Sequence, residues 1–238
     1  MPTSRPLVTI LTLALSLPAM GVMARAQTKK APATGAKLAE KTADAPNEKP
    51  GAPAAPPSGS PMAELKKSNL QLDKVLHKNV PNWTPEAELE RAEVRKLVGE
   101  FLDYNELARR SLARHWDTLT PKQRTEFSET LRQLVERSYL KQVHGSPNYN
   151  IKYEKEQKAG NEATVDATLH TTSRGKKVEI ALEYKMIGRD GHWVVYDVLT
   201  DEQSMLENYR AEFNKIIAKD GFDALIKRMK KKLEEKEE

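Results

Sequence analysis

The spacing of apolar residues predicts four helices in the first half of the folded part of the chain. They run from Met62 to about His77, from Pro85 onward, from just after Asp103, and from Pro121 to about Val143. Asp103 and Thr120 carry side-chain oxygens that can accept hydrogen bonds from the first unpaired amides of a helix. We expect the third helix to keep one apolar stripe from Tyr104 to His115.

The period changes to two after Pro147, which predicts strands. Apolar and polar residues alternate over residues 149–153, 165–169 and 178–186. A fourth strand, apolar on both faces, follows Asp190-Gly191, a dipeptide typical of two-residue hairpin turns. Four consecutive strands with short turns predict an antiparallel meander whose apolar face is covered by the helices. The predicted fold class is α+β, with helices packed on one side of a curved four-stranded antiparallel sheet.

Ser204 is expected to cap the helix that follows the last strand. Glu207 lies three residues later, which completes the form of a capping box, and an apolar stripe then runs from Leu206 to Phe213. Asp197 and Asp201 lie between this strand and this helix and are candidates for an acid–base pair. A role in the turn and the helix terminus is favoured, because Asp is common where strands end and helices begin.

The first 26 residues have the pattern of a secretory signal peptide. Arg5 precedes an apolar run from Leu7 to Met23, and Ala24-Arg25-Ala26 places small residues where a signal peptidase reads them. We expect cleavage near Ala26/Gln27. The alternative is a retained anchor, for which the run is short once Pro18 is counted. The chain contains no cysteine, which excludes disulfides and thiolate metal sites.

Residues 27–61 predict a disordered linker between the signal peptide and a folded domain over residues 62–238. Ala, Pro, Lys and Thr dominate this segment, which has too few large apolar side chains to offset the entropy of ordering. It would serve as a tether or as a solubilising tail. The whole chain has a net charge of +5, but residues 62–238 carry only +1. That balance does not provide the basic field needed to bind nucleic acid, so no nucleic acid partner is predicted.

Motifs for catalysis and metal binding are missing from the sequence. No two of its five histidines are three or four residues apart, and the metalloprotease, serine-hydrolase and phosphate-loop motifs do not occur. His115, beside Trp116, is expected to lie at a packing interface rather than to bind a ligand. The chain is therefore predicted not to be an enzyme, with no catalytic residue, no metal and no redox cofactor. The basic run Lys227–Lys232 is interpreted as the solvated face of the last helix or as a contact for anionic lipid or an acidic partner.

Two ordered sets of residues carry a family resemblance. The first set is Trp193, Val195, Tyr196, Asp197, Val198, Ser204, Tyr209, Arg210 and Phe213. The second set is Ala108, Arg109, Leu112, Trp116, Gln123, Phe127, Leu134 and Tyr139. Behind a signal peptide, these sets resemble the MlaC family of periplasmic phospholipid-shuttling proteins over roughly residues 65–233. Glu202 stands where that family usually has Gly, which would permit a positive φ.

The resemblance implies a soluble periplasmic domain in which sheet and helices enclose the tails of a phospholipid in an apolar cavity. The phospholipid is cargo rather than a cofactor, and its head group stays in solvent. The implied function is transport of phospholipid between an inner-membrane MCE complex with its ABC transporter and an outer-membrane lipoprotein complex, in support of outer-membrane lipid asymmetry. A hopanoid or another polycyclic lipid is the alternative cargo, and either direction of transport stays open.

The inward positions of the predicted elements supply candidate residues for the cavity wall, which core packing would explain equally well. The candidates are Trp116, Tyr139, Ile151, Tyr153, Val165, Leu169, Ile180, Leu182, Tyr184, Tyr209 and Phe213. The candidates for docking to the partner complexes are Arg109, Arg110, Arg114 and Arg210. The alternative for these arginines is pairing with Asp103, Glu106 or Glu207 on the same helices.

Two other functions stay open. A helix-covered curved sheet also resembles the nuclear-transport-factor-like cone, which hosts small isomerases and dehydratases, and Asp197 or His170 would then be the base. The third possibility is a non-catalytic interaction module of the envelope, with the Pro-rich segment as its working part. Co-purified lipid separates the three: the shuttle carries diacyl lipid, the enzyme at most a small polar ligand, and the module none.

Overall fold

Strands that follow one another along the chain form an antiparallel meander in the computed structural model, which describes residues 56–76, 85–143, 149–173 and 176–235. They are β1 (Tyr149–Ala159), β2 (Glu162–Ser173), β3 (Lys176–Arg189), β4 (His192–Thr200) and β5 (Gln203–Ser204). Each strand pairs with the next in the order β1-β2-β3-β4-β5. The four predicted strands are confirmed, and the two-residue β5 adds a fifth.

Six α-helices accompany the sheet in the described part of the chain, and α3 continues into a 3₁₀ helix, Ala113–Thr118. They are α1 (Pro61–Leu76), α2 (Pro85–Phe101), α3 (Tyr104–Leu112), α4 (Pro121–Val143), α5 (Met205–Asp220) and α6 (Phe222–Glu234). The predicted caps of α3 and α4 are present. Asp103 accepts a hydrogen bond from the Glu106 amide at 2.9 Å. Thr120 and Gln123 cap each other's amides at 3.3 and 3.0 Å.

Helix α3 ends earlier than its apolar stripe predicted. Ala113 has a φ of 46°, in the left-handed region, so the α-helical path stops at Leu112. His115 and Trp116 then lie in the 3₁₀ helix, where both are half-buried. The stripe predicted to reach His115 was therefore wrong over its last turn, because a backbone break rotates the residues beyond it.

The helices cover one face of the sheet, as predicted. Helix α1 packs against β1, β2 and β4, while α2, α3 and α5 pack against β4. Helices α4 and α6 complete the layer by packing on other helices. Bulges after Tyr153 in β1 and opposite Lys185 and Met186 of β3 bend the strands. The fold thus presents a bent, covered sheet face toward the helices.

Polar side chains fix the junction from β4 to α5. Asp197 is 1% exposed and accepts hydrogen bonds from the Ser204 hydroxyl at 2.6 Å and the Leu206 amide at 2.9 Å. Ser204 in turn accepts from the Glu207 amide at 3.0 Å, which confirms the predicted cap. The turn before β5 places Glu202 at φ 67°, a left-handed conformation that costs a residue other than Gly roughly 1–2 kcal/mol. The position that the family usually gives to Gly therefore does need a positive φ here.

Residues 56–60, at the end of the predicted linker, lie against the sheet. The Gly59 carbonyl accepts hydrogen bonds from the Trp193 indole at 3.0 Å and from Lys158 at 2.7 Å. The Pro57 ring occupies space beside Gly188, where an added Cβ would lie 2.4 Å from it. We call residues 56–60 the N-terminal segment. The signal peptide and the rest of the predicted linker lie outside the described residues.

Candidate functional site

The covered face of the sheet carries most of the predicted wall residues. Strand register places them in three adjacent rows across the strands. The rows are Ile151–Leu169–Ile180, Tyr153–Ala167–Leu182, and Val165–Tyr184–Val198. All of these side chains are buried except Ile151 and Tyr153 on β1, which are half-buried. The alternation of the sequence therefore produces one continuous apolar face, as the period of two predicts.

A group of tyrosines lies between this face and the helices. The Asn69 side chain of α1 donates a hydrogen bond to the Tyr153 hydroxyl at 2.5 Å. Burial raises the pKa of the Tyr184 phenol, and the nearby phenols of Tyr153 and Tyr139 raise it further. Burial also raises the pKa of Tyr139, with the phenol of Tyr149 adding to the effect. The structure thus brings Tyr139 of α4 to the sheet residues with which it was predicted to form a wall.

Sequence reasoning missed the polar partners of these tyrosines on α1. Asn69 and Asp73 are four residues apart and lie on the helix that crosses the sheet face. Burial is the main cause of the raised pKa of Tyr149 and of Tyr139. The Asp73 carboxylate raises both pKa values further, so it lies near both phenols. Two polar residues at i and i+4, inside the apolar stripe from Leu65 to Val75, were the signal that could have found them.

An open cleft of about 530 Å³ lies at the end of the apolar rows. Its lining consists of Asp73, Tyr149, Asn150, His170, Thr171, Thr172, Lys177, Val178 and Glu179. Tyr149, Thr171 and Val178 form the next row of the register, two residues beyond Ile151–Leu169–Ile180. At about 3.4 Å per residue, this row is about 7 Å from the first fully apolar one. We call this feature the strand-end cleft.

Three other predicted wall residues lie elsewhere in the helical layer. The rings of Tyr209 and Phe213 stack at 5.5 Å, and Phe213 meets Phe127 of α4 edge-to-face at 5.4 Å. These contacts join α5 to α4. Trp116 lines a separate open cleft of about 810 Å³, together with Arg109. The structure therefore groups eight of the eleven predicted residues at the sheet face, and the enclosed apolar cavity itself stays a prediction.

The residues considered for acid–base chemistry are engaged in structure. Both carboxylate oxygens of Asp197 hold the start of α5. Asp201 accepts from the Ala181 amide at 3.1 Å and donates its own amide to the Ala181 carbonyl at 2.9 Å. These bonds agree with the favoured turn and helix-terminus roles. His170 lines the strand-end cleft, where its Nδ1 lies 3.3 Å from a carboxylate oxygen of Glu179.

A buried carboxylate lies at the centre of the predicted docking surface. Glu106 accepts hydrogen bonds from Arg109 at 2.5 Å, from Arg110 at 2.6 Å and from Arg189 at 2.8 Å. Arg189 also donates to Asp103 at 2.8 Å. We call Arg109, Arg110 and Arg189 the arginine cluster. Because Arg189 ends β3, the cluster fastens the start of α3 to the hairpin between β3 and β4.

The four predicted docking arginines differ in their partners. Arg109 and Arg110 pair with the buried carboxylate of the cluster, and Arg210 pairs with Glu207 at 2.6 Å. These three arginines form the same-helix pairs that were the alternative, Arg110 also pairs with Glu162 of β2, and their docking role stays a prediction. Arg114 is exposed, and no carboxylate pairs with it among the residues that the structure describes. It is the docking candidate whose charge is available to a partner.

The basic run of α6 mixes charges of both signs. Lys230 pairs with Glu126 of α4 at 2.6 Å, and Arg228 pairs with Asp220. Lys227 and Lys231 line an open cleft of about 680 Å³ that also contains three carboxylates. This arrangement resembles the solvated helix face more than a site for anionic lipid.

Among the described residues, no group of three or more His, Asp or Glu side chains could hold a metal ion. Within the same ranges, every helix is too short or too polar to cross a bilayer.

Comparisons with known proteins agree on one family. The family model described as MlaC protein matches residues 71–231. The intermembrane phospholipid transport system binding protein MlaC of Haemophilus influenzae is 24% identical over 164 residues, which cover 68% of this chain and 74% of that protein. A solved phospholipid-binding protein from Ralstonia solanacearum, in complex with a phospholipid, has the same fold. It covers 73% of this chain and 96% of its own, with a TM-score of 0.60 at 19% identity.

Proposed function

The chain belongs to the MlaC family, and from this premise we propose that it is a periplasmic carrier that holds one phospholipid. The observation that carries the proposal is the continuous apolar sheet face, which ends at a cleft open to water. The tails would lie against the apolar rows and the head group would stay in water. The names of the relatives, a phospholipid transport system binding protein and a phospholipid-binding protein, support the same cargo.

A protein that carries lipid tails through water needs an apolar face that covers them. At roughly 0.8 kcal/mol for each methylene exposed to water, about thirty tail methylenes would cost roughly 24 kcal/mol unprotected. A free lipid would therefore rarely leave a membrane. A protein whose apolar side chains replace water around the tails removes most of that penalty, both when it takes up the lipid and when it delivers it.

The carrier would exchange lipid with two complexes. Export through the predicted signal peptide, residues 1–26, would release it between the membranes. It would then dock to an inner-membrane MCE complex with its ABC transporter and to an outer-membrane lipoprotein complex. Arg114 is the contact that we propose for at least one of them, since an exposed arginine that pairs with no carboxylate of the described residues can give salt-sensitive recognition of an acidic patch.

Binding rather than catalysis is also supported by the acidic residues. Asp197 is buried and both of its oxygens accept hydrogen bonds from the α5 terminus. A base for proton abstraction must reach its substrate, and this carboxylate faces backbone and hydroxyl donors of its own fold.

The amount of lipid that co-purifies with the protein tests the proposed carrier function. Protein purified from a bacterial periplasm should carry close to one diacyl phospholipid per chain in native mass spectrometry. Leu169→Trp and Leu182→Trp place bulk on the apolar rows and should lower bound lipid several-fold while the fold persists. The matched control is Ala181→Trp, because Ala181 is on β3 beside Leu182 but is exposed on the opposite face.

The melting temperature must be measured on the same samples. If the sheet face is a packed core, an inward Trp should lower the free energy of unfolding by roughly 1–3 kcal/mol and leave the lipid content unchanged. Wild-type protein without lipid, or instability at both inward positions, would contradict the carrier function and favour the interaction module.

A further inference from the structure

A strap of residues 57–69 crosses the covered face of the sheet. It consists of the end of the N-terminal segment and the first half of α1. Near its start, the Met62 amide donates a hydrogen bond to Glu156 of β1 at 2.9 Å. Near its end, Asn69 donates to Tyr153, three residues earlier on β1, at 2.5 Å. Because Tyr153 belongs to one of the apolar rows, the strap lies against the face on which the tails would lie.

Side chains make the polar contacts that fasten the strap to the sheet. Glu156 also accepts a hydrogen bond from the Ser60 hydroxyl at 2.6 Å. The Trp193 indole donates to the Gly59 carbonyl at 3.0 Å, and the Trp193 amide donates to the Glu64 carboxylate. None of these bonds is fully buried. Water can therefore replace each partner when the strap parts from the sheet, so that each bond adds only a small net stabilisation.

The helices beside β4 are fastened more firmly than the strap. The Asp103 amide donates to the Val195 carbonyl at 2.7 Å, and Leu102 forms a parallel bridge with the same strand residue. Asp197, which is 1% exposed, holds the start of α5 with both carboxylate oxygens. Parting of these elements would leave a buried charge without its hydrogen bonds, which costs far more than parting half-exposed groups. The strap is thus the element of the covering layer that opens most easily.

We propose that the strap is a latch for lipid exchange, and that a bound lipid enters or leaves when residues 57–69 part from β1 and β4. The inference rests on the proposed carrier function and adds to it the element whose opening limits the rate. The family match begins at residue 71, after the last residue of the strap. The latch is therefore assigned from contacts of this chain and not from the family.

The first test locks the strap to β1. The chain contains no cysteine, so Ser60→Cys with Glu156→Cys provides a single pair of thiols. Protein that already carries lipid is cross-linked there with a short bismaleimide and incubated with vesicles of phosphatidylethanolamine that has deuterated tails. Native mass spectrometry follows the replacement of the bound lipid. The lock should slow this exchange roughly tenfold or more at an unchanged amount of lipid per chain, because exchange needs the strap to open.

The matched control for the lock is Lys67→Cys with Gln71→Cys, joined by the same reagent. Both residues are exposed and lie four positions apart on α1, so this cross-link does not join the helix to the sheet. The control should exchange lipid at the wild-type rate.

The second test weakens the strap without a cross-link. In Glu156→Gln a neutral amide accepts the bonds from Ser60 and Met62 less strongly than a carboxylate, so exchange should be roughly twofold to tenfold faster. Glu154→Gln is its matched control, because Glu154 accepts a hydrogen bond from Thr168 of β2 at 2.9 Å rather than from the strap. This control should leave the rate unchanged. If Glu156→Gln does not fold, Tyr153→Phe replaces it, since it removes the acceptor of the Asn69 bond.

Two results would overturn the latch and leave the strap as a fixed cover. One is exchange that the lock does not slow, and the other is a weakened strap that exchanges at the rate of Glu154→Gln. In both cases the wild-type protein still carries lipid, so the carrier function stands. Wild-type protein that carries no lipid would overturn the carrier function itself.

Discussion

Glu106→Gln should destabilise the protein by about 2–3 kcal/mol at pH 7. Burial raises the pKa of Glu106, but hydrogen bonds from Arg109 and Arg110 outweigh burial and bring the pKa down from an ordinary 4.5 to about 2. At about 1.4 kcal/mol for each tenfold change in the acid dissociation constant, this difference corresponds to about 3 kcal/mol. A neutral amide keeps some of the hydrogen bonds, so the expected loss is slightly smaller.

The pH dependence follows from the direction of this change. Because the folded-state pKa of Glu106 lies below the unfolded-state value, its stabilisation is complete above pH 4.5 and is lost as the pH falls toward about 2. The difference in free energy of unfolding between wild type and Glu106→Gln should therefore shrink across this window. Urea denaturation followed by tryptophan fluorescence, at a series of pH values, measures it.

The chain offers a matched control in Glu129→Gln. Glu129 also pairs with an arginine three residues later, Arg132 at 2.5 Å, but its side chain is 48% exposed whereas that of Glu106 is 5% exposed. Exposed pairs of this kind contribute about 0–1 kcal/mol. Equal losses for the two variants, or a Glu106→Gln effect that is the same at pH 7 and at pH 3, would refute the central role of the buried carboxylate.

Two further predictions concern the N-terminal segment and the docking surface. Deletion of residues 27–55 should leave the melting temperature unchanged. Deletion of residues 27–60 should lower it, because Trp193 and Lys158 then lose the Gly59 carbonyl as a hydrogen-bond acceptor. Equal melting temperatures would show that the N-terminal segment adds no stability. Arg114→Glu should weaken capture by the inner-membrane complex at an unchanged melting temperature, whereas Arg110→Glu should lower the melting temperature through its buried partner. Capture that survives Arg114→Glu would place the contact on another surface.

Local sequence signals were sufficient for most of the fold. Asp103 and Ser204 marked helix starts because a capping oxygen acts within three residues of its own position. Asp190-Gly191 marked the hairpin, and both residues indeed have positive φ values. The short strand β5 was missed because its two residues carry no alternation, and its existence depends on the turn at Glu202.

The candidate site depended on contacts that no local pattern contains. Arg189 reaches Glu106 across 83 residues of sequence, and Asn69 reaches Tyr153 across 84. Periodicity could place Tyr153 on the apolar face, but it could not show which helix would cross that face. The same limit applies to Trp116, whose ring was expected at the sheet and lies in a surface cleft, because the backbone turns at Ala113.

Strand β1 forms one end of the sheet order, so its outer backbone groups are a template onto which another chain could add. Its sequence discourages this. Its exposed side chains include the charged residues Lys152, Glu154, Lys155 and Lys158. The bulge between Tyr153 and Lys155 also interrupts the regular row of backbone amides that a partner strand would need. The charged, bulged edge of β1 therefore makes the sheet a poor template for edge-to-edge addition of a second copy of the chain.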